Sequence, residues 1–165
     1  MRRATDAFLL SLHAADVCRT NMISSLQVIL DNMLLLGIPL ADPTLKSSAN
    51  FIVSLENEDG SVGIDSSTGE LLPGVSEAII SIWSDKNVQE TILKRSNEFQ
   101  SNDSAEYFLN NSKKISEKIW KPNYMDILKS RVKTTGVQVT SFIKNGRKFD
   151  VVDVGGQRSE RRKWL

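Results

Sequence analysis

The dipeptide Asn145-Gly146 stands between two short runs rich in β-branched and aromatic residues, Val137 to Ile143 and Phe149 to Val154. Asparagine and glycine both accept the positive φ angles of a two-residue hairpin turn, so the runs are expected to pair as antiparallel strands. Before Val137 the pattern is different. Apolar residues recur there every three or four positions, as on one face of a helix. The chain therefore reads as mostly α, with about five helices, then one hairpin, then a glycine-rich loop at Gly155-Gly156.

Ile23, Leu26, Leu30 and Met33 predict a long amphipathic helix over 17–37, stopped by Gly37 and Pro39. Asp42 or Thr44 is expected to start a second helix that runs to about Leu55. Residues 56–70, with Gly60, Gly63, Gly69 and many acidic or hydroxyl side chains, read as a surface loop and not a strand. Pro73 suits the first turn of a helix carrying Val75, Ile79, Ile82 and Trp83, and a shorter helix should cover Val88 to Asn97. Asp103-Ser104-Ala105-Glu106 has the form of a capping box, opening a helix to about Ile119 with Phe108, Ile115 and Ile119 facing inward. After Pro122, a helical turn through Met125 to Leu128 precedes the hairpin. Trp83 and Trp120 are expected in the core or an interface.

With 165 residues, 40% hydrophobic and 25% charged at net charge +1, the chain fits one soluble domain. That balance argues against a nucleic-acid binder or an enzyme of acidic substrates. Cys18 is the only cysteine, which rules out an intrachain disulfide and makes a reduced cytoplasmic setting the default. His13 is the only histidine, so a histidine-based metal site or triad has no support. Asn102-Asp103-Ser104 and Asn110-Asn111-Ser112 fit the glycosylation pattern, a pattern common by chance. Arg2, Arg3 and the apolar run Ala7 to Leu12 imitate a leader, but Asp6, Asp16 and the shortness of the run argue against one. No stretch is long enough to cross a bilayer, and Arg2 stands where N-myristoylation needs glycine. Taken alone, Gly155-Gly156 is a turn after a strand, and Arg158, Arg161, Arg162 and Lys163 form a solvated helix face.

Two segments are more specific: Arg131-Val132-Lys133-Thr134-Thr135-Gly136, and Asp153-Val154-Gly155-Gly156-Gln157-Arg158-Ser159-Glu160-Arg161-Arg162-Lys163-Trp164. In this order they resemble switch I and switch II of heterotrimeric G-protein α subunits. From about Cys18 to Leu165 the sequence is similar to the family's inserted helical domain, switch I, strands two and three and the start of switch II. The helical part matches by pattern and by Ser96 to Leu109; 126–136 and 152–164 match nearly residue for residue. The resemblance implies a helical-bundle insertion domain followed by a partial α/β Ras-like GTPase domain holding one hairpin and a switch II stub. It divides the chain into an unassigned segment 1–16, a helical domain 17–129 and a truncated GTPase domain 130–165.

GTP hydrolysis spreads negative charge over the transferring phosphoryl oxygens, so its catalysis is mainly positioning and electrostatic stabilisation; Gα proteins are a standard case. The resemblance makes Arg131 the arginine supplied in cis, its always-charged planar fork directed at those oxygens. It gives Thr134 a hydroxyl contact to Mg²⁺ and Asp153 a carboxylate that holds the ion through water. Gly156 would let its amide approach the γ-phosphate, and Gln157 would orient the attacking water. Val132, Lys133, Val154 and Gly155 complete the two nucleotide-facing loops. Leu128, Lys129 and Ser130 are implied to line the base and sugar, and Asp103 and Ser104 to reach the nucleotide from the helical domain. Arg158, Arg161 and Trp164 would present a basic and aromatic face to Gβγ or an effector.

The sequence also departs from the family. It contains no Gly-x-x-x-x-Gly-Lys-Ser/Thr and no Asn-Lys-x-Asp, the sources of the phosphate cradle and of guanine specificity. Residues 1–16 do not resemble the family's first strand, and the stretch Pro122 to Met125 is several residues short. The chain as written is thus expected not to bind GTP tightly, and Val151, Val152 and Val154 to lack the core a full sheet supplies. Two functions stay open: a GTP-hydrolysing transducer acting with Mg²⁺, GTP or GDP, Gβγ, a G-protein-coupled receptor and an effector, or a non-catalytic helical interaction module. The expected location is cytoplasmic, with a complete family member at the inner face of the plasma membrane.

Overall fold

The computed structural model describes residues 2–55, 62–65, 67–95, 103–131 and 137–154. Its contacts divide the chain into two units, Met1–Arg131 and Val132–Leu165. No helix among the described residues is long and apolar enough to cross a membrane.

The first unit is organised by α1, Arg2–Leu35, a helix of 34 residues. It begins well before residue 17, because neither glycine nor proline occurs between Arg2 and Leu36 to break it. Cys18, Met22, Ile23, Leu26 and Ile29 on one face are fully buried. Gly37, at φ 67, closes the helix: its amide donates to Leu34 O at 3.1 Å and the Ile38 amide to Met33 O at 2.8 Å, the paired bonds of a glycine-terminated helix.

A 3-10 turn at Pro43–Leu45 leads into α2, Lys46–Val53; Asp42 caps the turn by accepting from the Thr44 amide at 2.9 Å. The next helices are α3, Val75–Trp83, and α4, Lys86–Arg95. Asp85 joins them to the rest: its carboxylate accepts from the Asn87 amide at 2.9 Å and the Asp42 amide at 2.9 Å.

Several expectations need correction. Within 56–70, the described part is not a plain surface loop: Ile64 pairs with Leu71 in an antiparallel bridge and is only 3% exposed. Residues 56–61 and 66 lie outside the described residues. Pro73 precedes α3, whose cap is Gly74 at φ 83. The helix expected up to Ile119 is two helices, α5, Ala105–Asn110, and α6, Ser112–Ile115. Phe108 and Ile115 are buried, but Ile119 lies past the break and is 88% exposed. The box at Asp103 does not form. Ser104 takes the cap position, which puts Glu106 at the second helical residue, one short of where a box needs its acid.

A capping box does occur at α7, Tyr124–Lys129: the Asn123 side chain accepts from the Met125 and Asp126 amides, and Asp126 accepts in return from the Asn123 amide. Trp83 and Trp120 are both buried, and Trp83 Nε1 donates to Asn110 Oδ1 at 3.0 Å.

The second unit is the expected hairpin, β1 Val137–Lys144 and β2 Arg147–Val154. Lys144 pairs with Arg147, leaving Asn145 and Gly146 as the turn at φ 52 and 72. Phe142 and Phe149, opposite in register, stack with centroids 5.4 Å apart. Val151 and Val152 are 54% and 53% exposed.

Candidate functional site

The candidate site in the first unit is the exit from α7. Asp126, 1% exposed, fixes this helix to its surroundings. Its Oδ1 accepts from the Tyr107 hydroxyl at 2.7 Å and its Oδ2 from the Asn123 amide at 2.7 Å, with Lys114 Nζ at 4.0 Å. A carboxylate so deeply buried needs such donors to offset its desolvation. The bond raises the Tyr107 phenol to about 12, with burial and the Asp126 charge adding to it. Cys18 on α1 donates its thiol to the Asp126 backbone oxygen at 3.6 Å, and burial first, then the Asp126 charge, pushes that thiol up to about 11.

The helix ends at Ser130, which turns to extended backbone at ψ 144 while its amide still donates to Asp126 O and Ile127 O. Arg131 follows. Its amide donates to Asn21 Oδ1 at 3.0 Å, and its carbonyl accepts from Asn21 Nδ2 at 2.9 Å. Asn21 is buried on α1 and also donates to Val17 O at 2.8 Å. Arg131 itself is exposed, so a held backbone presents its cation at the surface of this unit.

Of the other candidate residues in this unit, Leu128 is 63% exposed, Lys129 is exposed and Ser130 is half-buried. Ser104 is buried at the start of α5 and Asp103 beside it is exposed. The Tyr107–Asp126 bond links α5 to α7, so the two segments are tied through one carboxylate. In the second unit, Asp153 is exposed and Val154 half-buried at the end of β2, opposite Gln138 and Val137 in register. Val132, Lys133, Thr134, Gly155, Gly156, Gln157, Arg158, Arg161 and Trp164 lie outside the described residues.

A family model described as G-protein alpha subunit matches residues 9–165. The chain belongs to this family. It is 42% identical over 145 residues to the guanine nucleotide-binding protein G(o) subunit alpha of Geodia cydonium, covering 88% of this chain and 38% of the relative. It is 40% identical over 151 residues to the guanine nucleotide-binding protein subunit alpha of Pyricularia oryzae, and 41% over 151 residues to the alpha-1 subunit of Mycosarcoma maydis, in each case covering 91% of this chain and 40% of the relative. The chain thus spans about two fifths of the length of these alpha subunits.

Family membership accounts for a mostly helical unit followed by a two-stranded antiparallel hairpin. The motifs single out Arg131 but give no sign of Asn21, which bonds its backbone, or of Tyr107 and Cys18, which anchor α7 through Asp126. One signal was available for Asn21, a carboxamide on the same helical face as Cys18, Met22 and Ser25. Among the described residues, no group of three His, Cys, Asp or Glu side chains could hold a metal ion.

Proposed function

We propose that this chain supplies the arginine and the γ-phosphate-side loops of a GTP-hydrolysing alpha subunit that transduces signals from a G-protein-coupled receptor. The observation that carries the reading is Arg131, an exposed guanidinium on a backbone bonded on both sides to a buried helix. A cation fixed before the reaction stabilises developing phosphoryl charge without reorganising. Gln157 orients the attacking water in this reading, and Gly156 leaves its amide open to the phosphate.

Mg²⁺ in nucleotide sites is held by one or two protein oxygens together with waters and phosphates. In this reading the Thr134 hydroxyl would be a direct oxygen ligand, and the exposed carboxylate of Asp153 would hold the ion through one of its waters. When bound, the ion neutralises phosphate charge. Asp103 and Ser104, with Leu128 to Lys133 and Val154 to Gly155, border the nucleotide; Arg158, Arg161 and Trp164 meet Gβγ or an effector. The working location is the cytoplasmic face of the plasma membrane.

Because the sequence carries no Gly-x-x-x-x-Gly-Lys-Ser/Thr motif, the 165-residue polypeptide binds nucleotide weakly on its own. Titration calorimetry with a non-hydrolysable GTP analogue and Mg²⁺ checks this, and submicromolar binding would refute it. The catalytic reading is tested by a chimaera in which this chain replaces the matching 145-residue stretch of the Geodia cydonium relative. The chimaera should hydrolyse GTP, and Arg131→Ala should slow it by on the order of 10³, the general magnitude for such arginines, of which α subunits are a standard instance. No hydrolysis by the unsubstituted chimaera would favour the interaction-module reading.

A further inference from the structure

Asn21 is 8% exposed on a helix face otherwise made of Cys18, Met22, Ser25 and Leu26. A carboxamide at such a place costs free energy unless its donors and acceptor are all used. Here they are. Oδ1 takes the Arg131 amide at 3.0 Å, and Nδ2 gives to Arg131 O at 2.9 Å and Val17 O at 2.8 Å. Ser25 Oγ closes the back of the arrangement by donating to Asn21 O at 2.6 Å.

We propose that Asn21 is a positioning residue for Arg131: its carboxamide grips both backbone polar groups of that one residue and so sets where the guanidinium starts from. The proposal rests on the catalytic reading of Arg131. Asparagine suits this role for a chemical reason. A side-chain amide carries a donor and an acceptor side by side, matching the amide and carbonyl of one residue as a neighbouring strand would. Aspartate has no donor and would set a negative charge against two carbonyl oxygens; glutamine carries the amide one methylene too far.

The chain separates from helical hydrogen bonding at Ser130, whose amide is the last to donate into α7. Beyond it, hydrogen bonds to Asn21 hold the Arg131 backbone. The residue is thereby tied to α1, 110 positions away in sequence. A small displacement at this point is magnified along the long arginine side chain, and misplacement by about 1 Å costs catalysis on the order of a hundredfold.

The test begins with amide hydrogen exchange of the whole chain, read residue by residue by NMR. In Asn21→Ala the Arg131 amide should exchange about tenfold faster, while amides of α3 and α4 keep their rates. Asn21→Ser, whose hydroxyl is too short to span both Arg131 groups, serves if the alanine variant unfolds; it should show the same faster Arg131 exchange, and unchanged exchange there overturns the proposal too. An Arg131 amide that exchanges equally in the unsubstituted chain and Asn21→Ala would overturn the proposal.

In the chimaera, Asn21→Ala should lower kcat for GTP hydrolysis at least tenfold, leave KM within twofold, and add nothing further in an Arg131→Ala background. Equal losses in both backgrounds would overturn a role exerted through Arg131. If the unsubstituted chimaera does not hydrolyse GTP, the catalytic reading of Arg131 fails, and the grip of Asn21 on its backbone is decided by exchange alone.

Discussion

Replacing Arg19 gives the sharpest test of how the helical unit is held together. This side chain is 4% exposed, and its fork reaches three carbonyl oxygens from two separate segments: Nε to Ile115 O at 3.2 Å, Nη1 to Gly69 O at 2.6 Å and Nη2 to Glu117 O at 2.9 Å. Burial lowers its proton affinity below the usual arginine range, while the charges of Asp16 and Glu70 oppose that shift. A bond from a charged donor is worth roughly 1.5–3 kcal/mol, and a buried acceptor left unpaired costs about 1–3 kcal/mol. Only the Ile115 contact is fully buried, so water offsets part of the loss at the other two carbonyls. Arg19→Met should therefore destabilise the unit by roughly 3 kcal/mol, which lowers its Tm by about 10 °C at this size. Arg19→Lys should cost nearly as much, because an ammonium cannot meet three carbonyls spread around a planar fork. Urea unfolding followed by far-ultraviolet circular dichroism measures both. A lysine variant within roughly 0.5 kcal/mol of the unsubstituted chain would refute the argument that the fork's geometry matters.

Gly69→Ala should cost roughly 2 kcal/mol in the same assay, since its φ is 71 and an added Cβ would sit 2.5 Å from Asp16 Oδ1. Tyr107 has a folded-state pKa of about 12 against an ordinary 10.0, so its contribution is full below about pH 10 and is lost as pH rises through 12. Tyr107→Phe should thus flatten the fall in stability over that window, and the Cys18 thiol, raised to about 11, contributes to the fall that remains. The same thiol, buried and raised to about 11, should react with a disulfide reagent at neutral pH far more slowly in the folded chain than in urea. Ile119→Ser should change stability by less than roughly 0.5 kcal/mol, because the side chain is 88% exposed; a loss of 2 kcal/mol or more would return Ile119 to the core.

The parts legible in the sequence were those with a local chemical cause. Asn145-Gly146 fixed the turn because few residue pairs accept two positive φ angles in succession, and the register follows from it. Gly37 ended α1 for the same kind of reason. The start of α1 was misplaced because an apolar stripe becomes regular only near Cys18, whereas a helix continues until something breaks it. The division between α5 and α6 at Asn111 has no glycine or proline to announce it. At the candidate site, Arg131 stands out in the sequence because it belongs to a motif, but its supports do not. Asn21 and Arg131 are 110 positions apart and touch through a side chain and a backbone, a contact that leaves no periodicity to read. Asn123 and Asp126 carry a readable signal, a cap residue three positions before an acid, but Asp103 and Glu106 show the same spacing without forming a box.

Among the described residues, helix α1 touches each of the other six helices of its unit, and none of these is described over more than 10 residues. Helices that short are marginal in water and borrow their order from what they lean on. The unit therefore has a hub rather than a shared scaffold. The short helices also lean on one another, α3 on α2, α4, α5 and α6, but α1 is the partner they share, so a proline placed near Ile23 would loosen all of them together. Since the same rod carries Asn21, a break in it also loosens the hold on the Arg131 backbone, 110 positions away.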